Sequence, residues 1–267
     1  MQVGRYQVSL HVHGKFKLDG GAMFGSVPKP LWSRQISADD QNRIPLCARS
    51  LIIECENRKI LVDVGCGDFW DEKSKEIFCF EPDVYEVVPG VTDVILTHLH
   101  FDHAGGVLGK LGQPNYPDAR FYVSRANLEN AKSPNLREKA SYLPQVVSLI
   151  ENANLVLLED GDEPFDGISV HQVHGHTVGL QWVQVSDEGK VVAFPSDLFP
   201  TAHHLPLPYV MGYDICAATS LVERQSFLER AIEERWLVVF QHDWENDIGT
   251  VSLNEKGKPE FHRLELE

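Results

Sequence analysis

The sequence predicts an α/β chain of the α+β kind, with one sheet packed on another and helices outside. Two observations carry this expectation. Apolar segments of strand length come in runs, and helix-like stretches lie between the runs. A length of 267 residues supplies a large core, and four-layer single domains reach this size. The second half repeats the alternation of the first. The expected organisation is one domain over 1–267 with two αβ halves, roughly 1–150 and 151–267.

Residues 6–13 alternate as a strand, with Val8, Leu10 and Val12 on one face. His11 and His13 fall on the other face and are expected to be exposed. The stretch 18–32 holds three glycines and two prolines and reads as a loop. Its apolar Met23, Phe24 and Trp32 either fold back on the core or line a pocket mouth. Strands follow over 46–56 and 59–64, and a helix over 68–80 with Asp68 as N-cap. The run Val94-Ile95-Leu96 is a buried strand, and a short helix starts at Phe101. A strand at 120–123 leads into a helix capped by Ser124 and ending at Lys132. Residues 135–152 are amphipathic, with Pro144 as an interruption. Strands then occupy 155–158, 168–174, 180–186 and 190–195, with a hairpin turn at Asp187-Glu188-Gly189. A long helix spans 214–235, with Leu221, Phe227, Leu228 and Ile232 near one face. A buried strand at 236–240 and short strands at 250–253 and 260–264 complete the chain.

The most informative stretch is Thr97-His98-Leu99-His100-Phe101-Asp102-His103-Ala104-Gly105-Gly106. It places three histidines and an aspartate in six residues, directly after a buried strand. His98 and His100 alternate with Leu99 and so fall on one side of extended chain. Gly105 and Gly106 would let the backbone approach whatever these side chains hold. Neutral imidazole with carboxylate is a donor set for zinc, iron, manganese or cobalt. Three later strands also end in such residues: His174-Gly175-His176, Ser196-Asp197 and His242-Asp243. All could meet at one edge of the sheets. Asp63, ending another apolar strand, needs a buried partner, and a metal-bound imidazole is a suitable one.

Together these residues resemble a known family. His98-x-His100-x-Asp102-His103, Gly-His176-Thr-x-Gly, Ser-Asp197 and Gln-His242-Asp, in that order, are similar to the motifs of the metallo-β-lactamase superfamily. The resemblance runs from Asp63-Val64-Gly65 to His242. It implies the metallo-β-lactamase fold, a four-layer αββα sandwich, with a dinuclear metal site at one sheet edge. By motif, His98, His100 and His176 would hold one ion, Asp102, His103 and His242 the other, and Asp197 would bridge. His174 would stand behind the ligands. The ions are expected to be zinc, with iron, manganese or cobalt as alternatives.

Departures narrow the branch. The main class of true β-lactamases has Cys where this chain has Asp197, and the oxygen-reducing di-iron branch has Glu where it has His100. The loop Asp19-Gly20-Gly21-x-Met23-Phe24-Gly25-x-x-Pro28-Lys29-x-x-Trp32 is similar to one in the branch of N-acyl-homoserine lactonases and some organophosphate hydrolases. The segment from Pro200 to Asp214 resembles the same branch. The resemblance thus implies a metal-dependent hydrolase of a small-molecule ester or lactone, with a metal-bridging hydroxide as nucleophile. Asp102 would handle the proton, and Tyr213, with Tyr209 as second candidate, would polarise the carbonyl. Met23, Phe24, Trp32, Tyr209 and His204 are the expected substrate contacts. A sulfur dioxygenase-like or di-iron oxidoreductase and a phosphotriester hydrolase are the alternatives on this fold.

Composition limits the partners. The net charge of −15 repels phosphate backbones, so nucleic acid is not expected. Five cysteines without a C-x-x-C pair are no disulfide framework, which fits a reducing compartment, the cytoplasm. The first residues lack the apolar core of a signal peptide. No apolar run approaches the roughly 18 residues of a membrane span, so no membrane partner is expected. The apolar 23–32 loop could also serve a homodimer contact.

Overall fold

Two sheets, each with helices against its outer face, build the chain. The structure is a computed structural model and describes residues 1–81 and 85–264. The first sheet takes its strands in sequence order: β1 (Gln2–Val3), β2 (Tyr6–Asp19), β3 (Arg43–Cys55), β4 (Arg58–Val62), β5 (Asp93–Leu96), β6 (Arg120–Ser124) and β7 (Asn154–Leu158). Strands β1 to β4 pair antiparallel, and β4 to β7 parallel. The second sheet holds β8 (Ile168–Val173), β9 (Leu180–Asp187), β10 (Lys190–Phe194), β11 (Leu237–Val239), β12 (Ile248–Leu253) and β13 (Pro259–Arg263), ordered β13-β12-β11-β10-β9-β8. Its one parallel pair among the described residues is β10 with β11.

Burial explains the layering. Val8, Leu51, Ile53, Val62 and Ile95 of the first sheet pack against Val170, Val183, Val192 and Val239 of the second. Alternate side chains face outward. Leu61, Val94, Leu96 and Phe121 meet Leu128 of the helix Arg125–Lys132 and Val146, Val147 and Ile150 of the helix Pro144–Glu151. On the other side Leu180, Trp182 and Val238 meet Phe227, Leu228 and Ala231 of the helix Ala217–Glu233. Helix, sheet, sheet and helix follow in that order, as the αββα resemblance implies.

Several local expectations are corrected. In β2 a bulge between Val12 and Gly14 shifts the alternation by one residue. Val12 therefore turns outward and His13 inward, so His13 is buried rather than exposed. The 18–32 stretch is not open loop but two short helices, Gly20–Phe24 and Lys29–Trp32. The helix expected from Asp68 starts later, at Glu72, because the Asp71 carboxylate accepts from the Ser74 N–H and caps it. Pro144 opens its helix instead of interrupting one, since the first turn needs no proline N–H. The last long helix begins at Ala217, and its Leu221 stands partly exposed rather than on the packed face.

Candidate metal centre

Four strand ends converge on one edge of the sandwich. His98 and His100 follow β5, with Asp102 and His103 on the one-turn helix Phe101–Ala104. His176 follows β8, Asp197 follows β10 and His242 follows β11. Gly105 and Gly106 fix the first of these turns, though not by meeting a ligand. A Cβ on Gly105 would lie 2.3 Å from the Cys66 carbonyl oxygen, and one on Gly106 2.0 Å from that of Val64. Their close approach is to the backbone after β4, which corrects the expectation that they approach whatever the site holds. Asp63 and Ser196 both take positive φ, 59° and 52°, conformations that side chains other than glycine adopt at a cost. Asp63 spends that strain on position: its carboxylate accepts from the Thr97 N–H at 2.7 Å and the Gln241 amide at 2.8 Å.

The donors fall into two groups, His98 with His100 and His176, and Asp102 with His103, Asp197 and His242. Within each group one ligand atom per residue lies within 4.8 Å of the others, and all seven residues are buried. His98 Nε2 is 3.0 Å from His100 Nδ1, which is 3.3 Å from His176 Nε2. His242 Nε2 is 3.3 Å from His103 Nε2. Imidazole nitrogens turned toward one another in a dry place suit a cation between their lone pairs. Asp197 stands between the groups. Its Oδ1 is 3.1 Å from His242 Nε2 and its Oδ2 3.2 Å from His176 Nε2. That buried Oδ1 has no hydrogen-bond partner among the described residues, as a metal-directed oxygen would not.

Electrostatics at His98 and Asp197 point the same way, whereas at His103 and His176 nearby carboxylates, Asp102 with Asp197 and Asp197 with Asp214, outweigh burial and raise the imidazoles. Burial, then the neighbouring His103 and His100, push the His98 pKa well below its usual value, toward the neutral form that binds metals. Burial would raise the Asp197 carboxyl, but His103, His242 and His176 outweigh it and hold it well below the usual carboxylate range. Three of the rear nitrogens have close anchors. Nδ1 of His103 is 2.9 Å from Asp63 Oδ2, Nδ1 of His176 is 2.9 Å from Asp214 Oδ1, and Nδ1 of His242 is 2.8 Å from the Cys47 carbonyl oxygen. The donor chemistry fits divalent cations held by imidazole and carboxylate.

Above the donors lies a cavity of about 330 Å³ lined by His100, Asp102, His176, Asp197 and His242. Leu18, Met23, Phe78, Phe101 and Met211 form its apolar wall, and Glu138, Arg137 and Tyr213 also line it. Tyr213 is 38% exposed. Burial of the rest of the ring, with Asp19 and Asp102 adding, raises its phenol to about 12.

Of the expected substrate contacts only Met23 lines this cavity. Phe24 and Trp32 stack on each other with centroids 5.3 Å apart, in a buried cluster behind the wall. Their fate is the core, because a buried aromatic contributes roughly 1.5–3 kcal/mol there. Tyr209 packs edge-on to Phe24, outside the lining. His204 is fully buried, stacks on Phe24 and pairs through Nε2 with the Met23 carbonyl oxygen at 2.9 Å. It supports the wall from behind. His174 is exposed and accepts from the Gly179 N–H at 3.1 Å, so it closes its own loop rather than backing a ligand. Sequence reasoning missed Glu138 and the pairing of Asp214 with His176. Glu138 falls in the 135–152 stretch read as amphipathic, but the structure forms turns there and starts the helix only at Pro144. The pattern therefore does not single it out, and only its burial marks it.

A family model described as the Metallo-beta-lactamase superfamily matches residues 48–247. An N-acyl homoserine lactonase from Bacillus sp is 30% identical over 159 residues, 58% of this chain and 57% of that protein. One from Bacillus cereus is 28% identical over 159 residues. The chain spans little more than half the length of these curated relatives. The crystal structure of a probable metal-dependent hydrolase from Staphylococcus aureus is similar over 99% of each chain, at 27% identity and a TM-score of 0.90. AidC, a dizinc quorum-quenching lactonase solved with a product, has a TM-score of 0.81 at 18% identity, covering 100% of this chain and 97% of that one. At that identity the likeness concerns the fold.

Proposed function

Because the chain belongs to the metallo-β-lactamase superfamily, we propose that it is a dinuclear metallohydrolase that opens an ester or lactone of a small molecule. The observation that carries this reading is the cavity floor, where two groups of buried donors meet beneath an apolar wall. His98, His100 and His176 hold one ion, and Asp102, His103 and His242 the other. Asp197 offers one oxygen to each group. Two bound divalent ions, zinc in the first place, supply Lewis acidity and a hydroxide nucleophile at neutral pH. We read 1–267 as one domain of two αβ halves, since one core joins strands of both sheets.

The chain's own residues do the rest. The apolar wall takes a hydrocarbon portion of the substrate and leaves its carbonyl over the donors. Tyr213, raised to about 12, keeps its proton at neutral pH and can donate it to the developing oxyanion. Asp102 lines the cavity beside the donors, so its carboxylate faces the space where a substrate proton would be taken and returned. An acyl chain on a small lactone matches this division, so N-acyl homoserine lactones are the first substrates to assay.

The test is a panel of lactones, aryl esters, phosphotriesters and thioesters, with metal content measured on the same sample. Lactone or ester turnover dominating the panel is the expected result. Dominant phosphotriester turnover, or tightly held iron with thiol-dependent oxygen consumption, would replace this reading.

A further inference from the structure

Glu138 is a buried carboxylate outside the seven donors, only 3% exposed. Its Oε1 accepts from Asn130 Nδ2 at 2.9 Å and Asn135 Nδ2 at 2.7 Å. Its Oε2 accepts from Thr177 Oγ1 at 2.7 Å. Thr177 is held in turn by the Tyr142 hydroxyl at 2.8 Å. Three donors thus fix the carboxylate, and Oε2 still has a free lone pair. That oxygen lies 3.8 Å from Nε2 of His100.

His100 is the ligand whose rear nitrogen lacks an anchor. Its Nδ1 faces His98 and His176. Its Nε2 is buried and has no hydrogen-bond partner among the described residues. An imidazole that binds through Nδ1 in neutral form carries its proton on Nε2. Every such buried N–H needs an acceptor. The Glu138 oxygen is less than 1 Å beyond hydrogen-bond length, a gap that a small ring rotation closes.

We propose that Glu138 is a positioning residue that accepts the Nε2–H of His100, fixes the tautomer presenting Nδ1, and so sets the affinity of the three-histidine site. The proposal rests on the reading that His98, His100 and His176 hold an ion. It also gives Thr177 of the Gly-His-Thr motif a task. Its hydroxyl orients the carboxylate behind a ligand contributed by a different strand.

The experiment compares the zinc-loaded full chain with Glu138→Ala and Glu138→Gln, reading both zinc dissociation constants by competition with a chromophoric chelator. Removal of such a rear partner weakens metal binding by about 10–100-fold, and Glu138→Ala should lose that much at one ion and little at the other. Glu138→Gln keeps an acceptor oxygen and the side-chain volume, so it should recover part of the loss. Nitrogen NMR of labelled histidine should show a protonated Nε2 on His100 in the wild type and a mixture of tautomers in Glu138→Ala. Unchanged affinity for both ions in Glu138→Ala would overturn the proposal. If that variant does not fold, unchanged affinities with an unprotonated His100 Nε2 in Glu138→Gln and the wild type would overturn it equally. A wild type that binds a single ion would sink the two-ion reading, and the ratio between variant and wild type at that ion would still decide the role of Glu138.

Discussion

Asp102 and Tyr213 share a cavity but answer to different tests. Asp102 belongs to one donor group only, so Asp102→Ala should retain about one ion per chain, on the reading that each group holds its own ion. Metal analysis after gel filtration checks this, and equal loss of both ions would count against dividing the donors into two sites. Among the described residues, Tyr213 forms no hydrogen bond with either group. Tyr213→Phe should therefore leave metal content intact. It should lower kcat by about 10–100-fold, less than the roughly 100–1,000-fold that losing an oxyanion donor costs, because the ring is partly solvated. Unchanged kcat in steady-state assays would remove Tyr213 from the chemistry. The buried His204 invites a third substitution. Its ring joins Phe24 and the Met23 carbonyl, so a change there should alter stability before it alters substrate preference.

Among the elements, the irregular run between β10 and the helix Ala217–Glu233 depends most on one side chain. Arg224 of that helix is buried and donates to the carbonyl oxygens of His204, Leu207 and Tyr209. Its guanidinium also lies over the Phe199 ring, 4.7 Å from the centroid. Arg224→Met should destabilise the fold by about 2–4 kcal/mol, because several buried carbonyls lose their donor at once. Urea denaturation measures this, and a change below about 0.5 kcal/mol, the size expected of an ordinary surface substitution, would contradict it. How much was legible in the sequence follows from the same contrast. Strands such as β5 and β10 are readable because periodicity and apolar runs report burial directly. The ligand-type residues after them are readable because few other residue types hold metals. The wall is different. Phe24, Trp32, Tyr209 and His204 look like pocket residues in sequence, yet they stack on one another behind it. Local pattern does not encode which side of a loop faces the cavity. The bulge in β2 is likewise silent, since one extra residue reverses every side chain beyond it.

For the whole molecule, the layered core sets stability and the sheet edge sets chemistry, and pH separates the two. His13, turned inward by the bulge, has its pKa lowered from 6.5 to about 3, first by burial and then by the nearby His11. Between those values it is neutral when folded and charged when unfolded. The unfolded chain then binds more protons, so stability is intact above 6.5 and is lost as pH falls toward about 3. One such proton changes stability by about 1.4 kcal/mol per pH unit. His13→Gln should flatten the fall of the denaturation midpoint on acidification relative to the wild type, and parallel curves would refute this. No described helix is long and apolar enough to cross a membrane. If two ions beneath one cavity drive hydrolysis, zinc added stepwise to the chelated chain should restore lactone opening in proportion. No turnover is expected in the chelated chain, and full recovery at two ions per chain. Turnover that survives complete metal removal, or that is complete at one ion per chain, would contradict the two-ion mechanism.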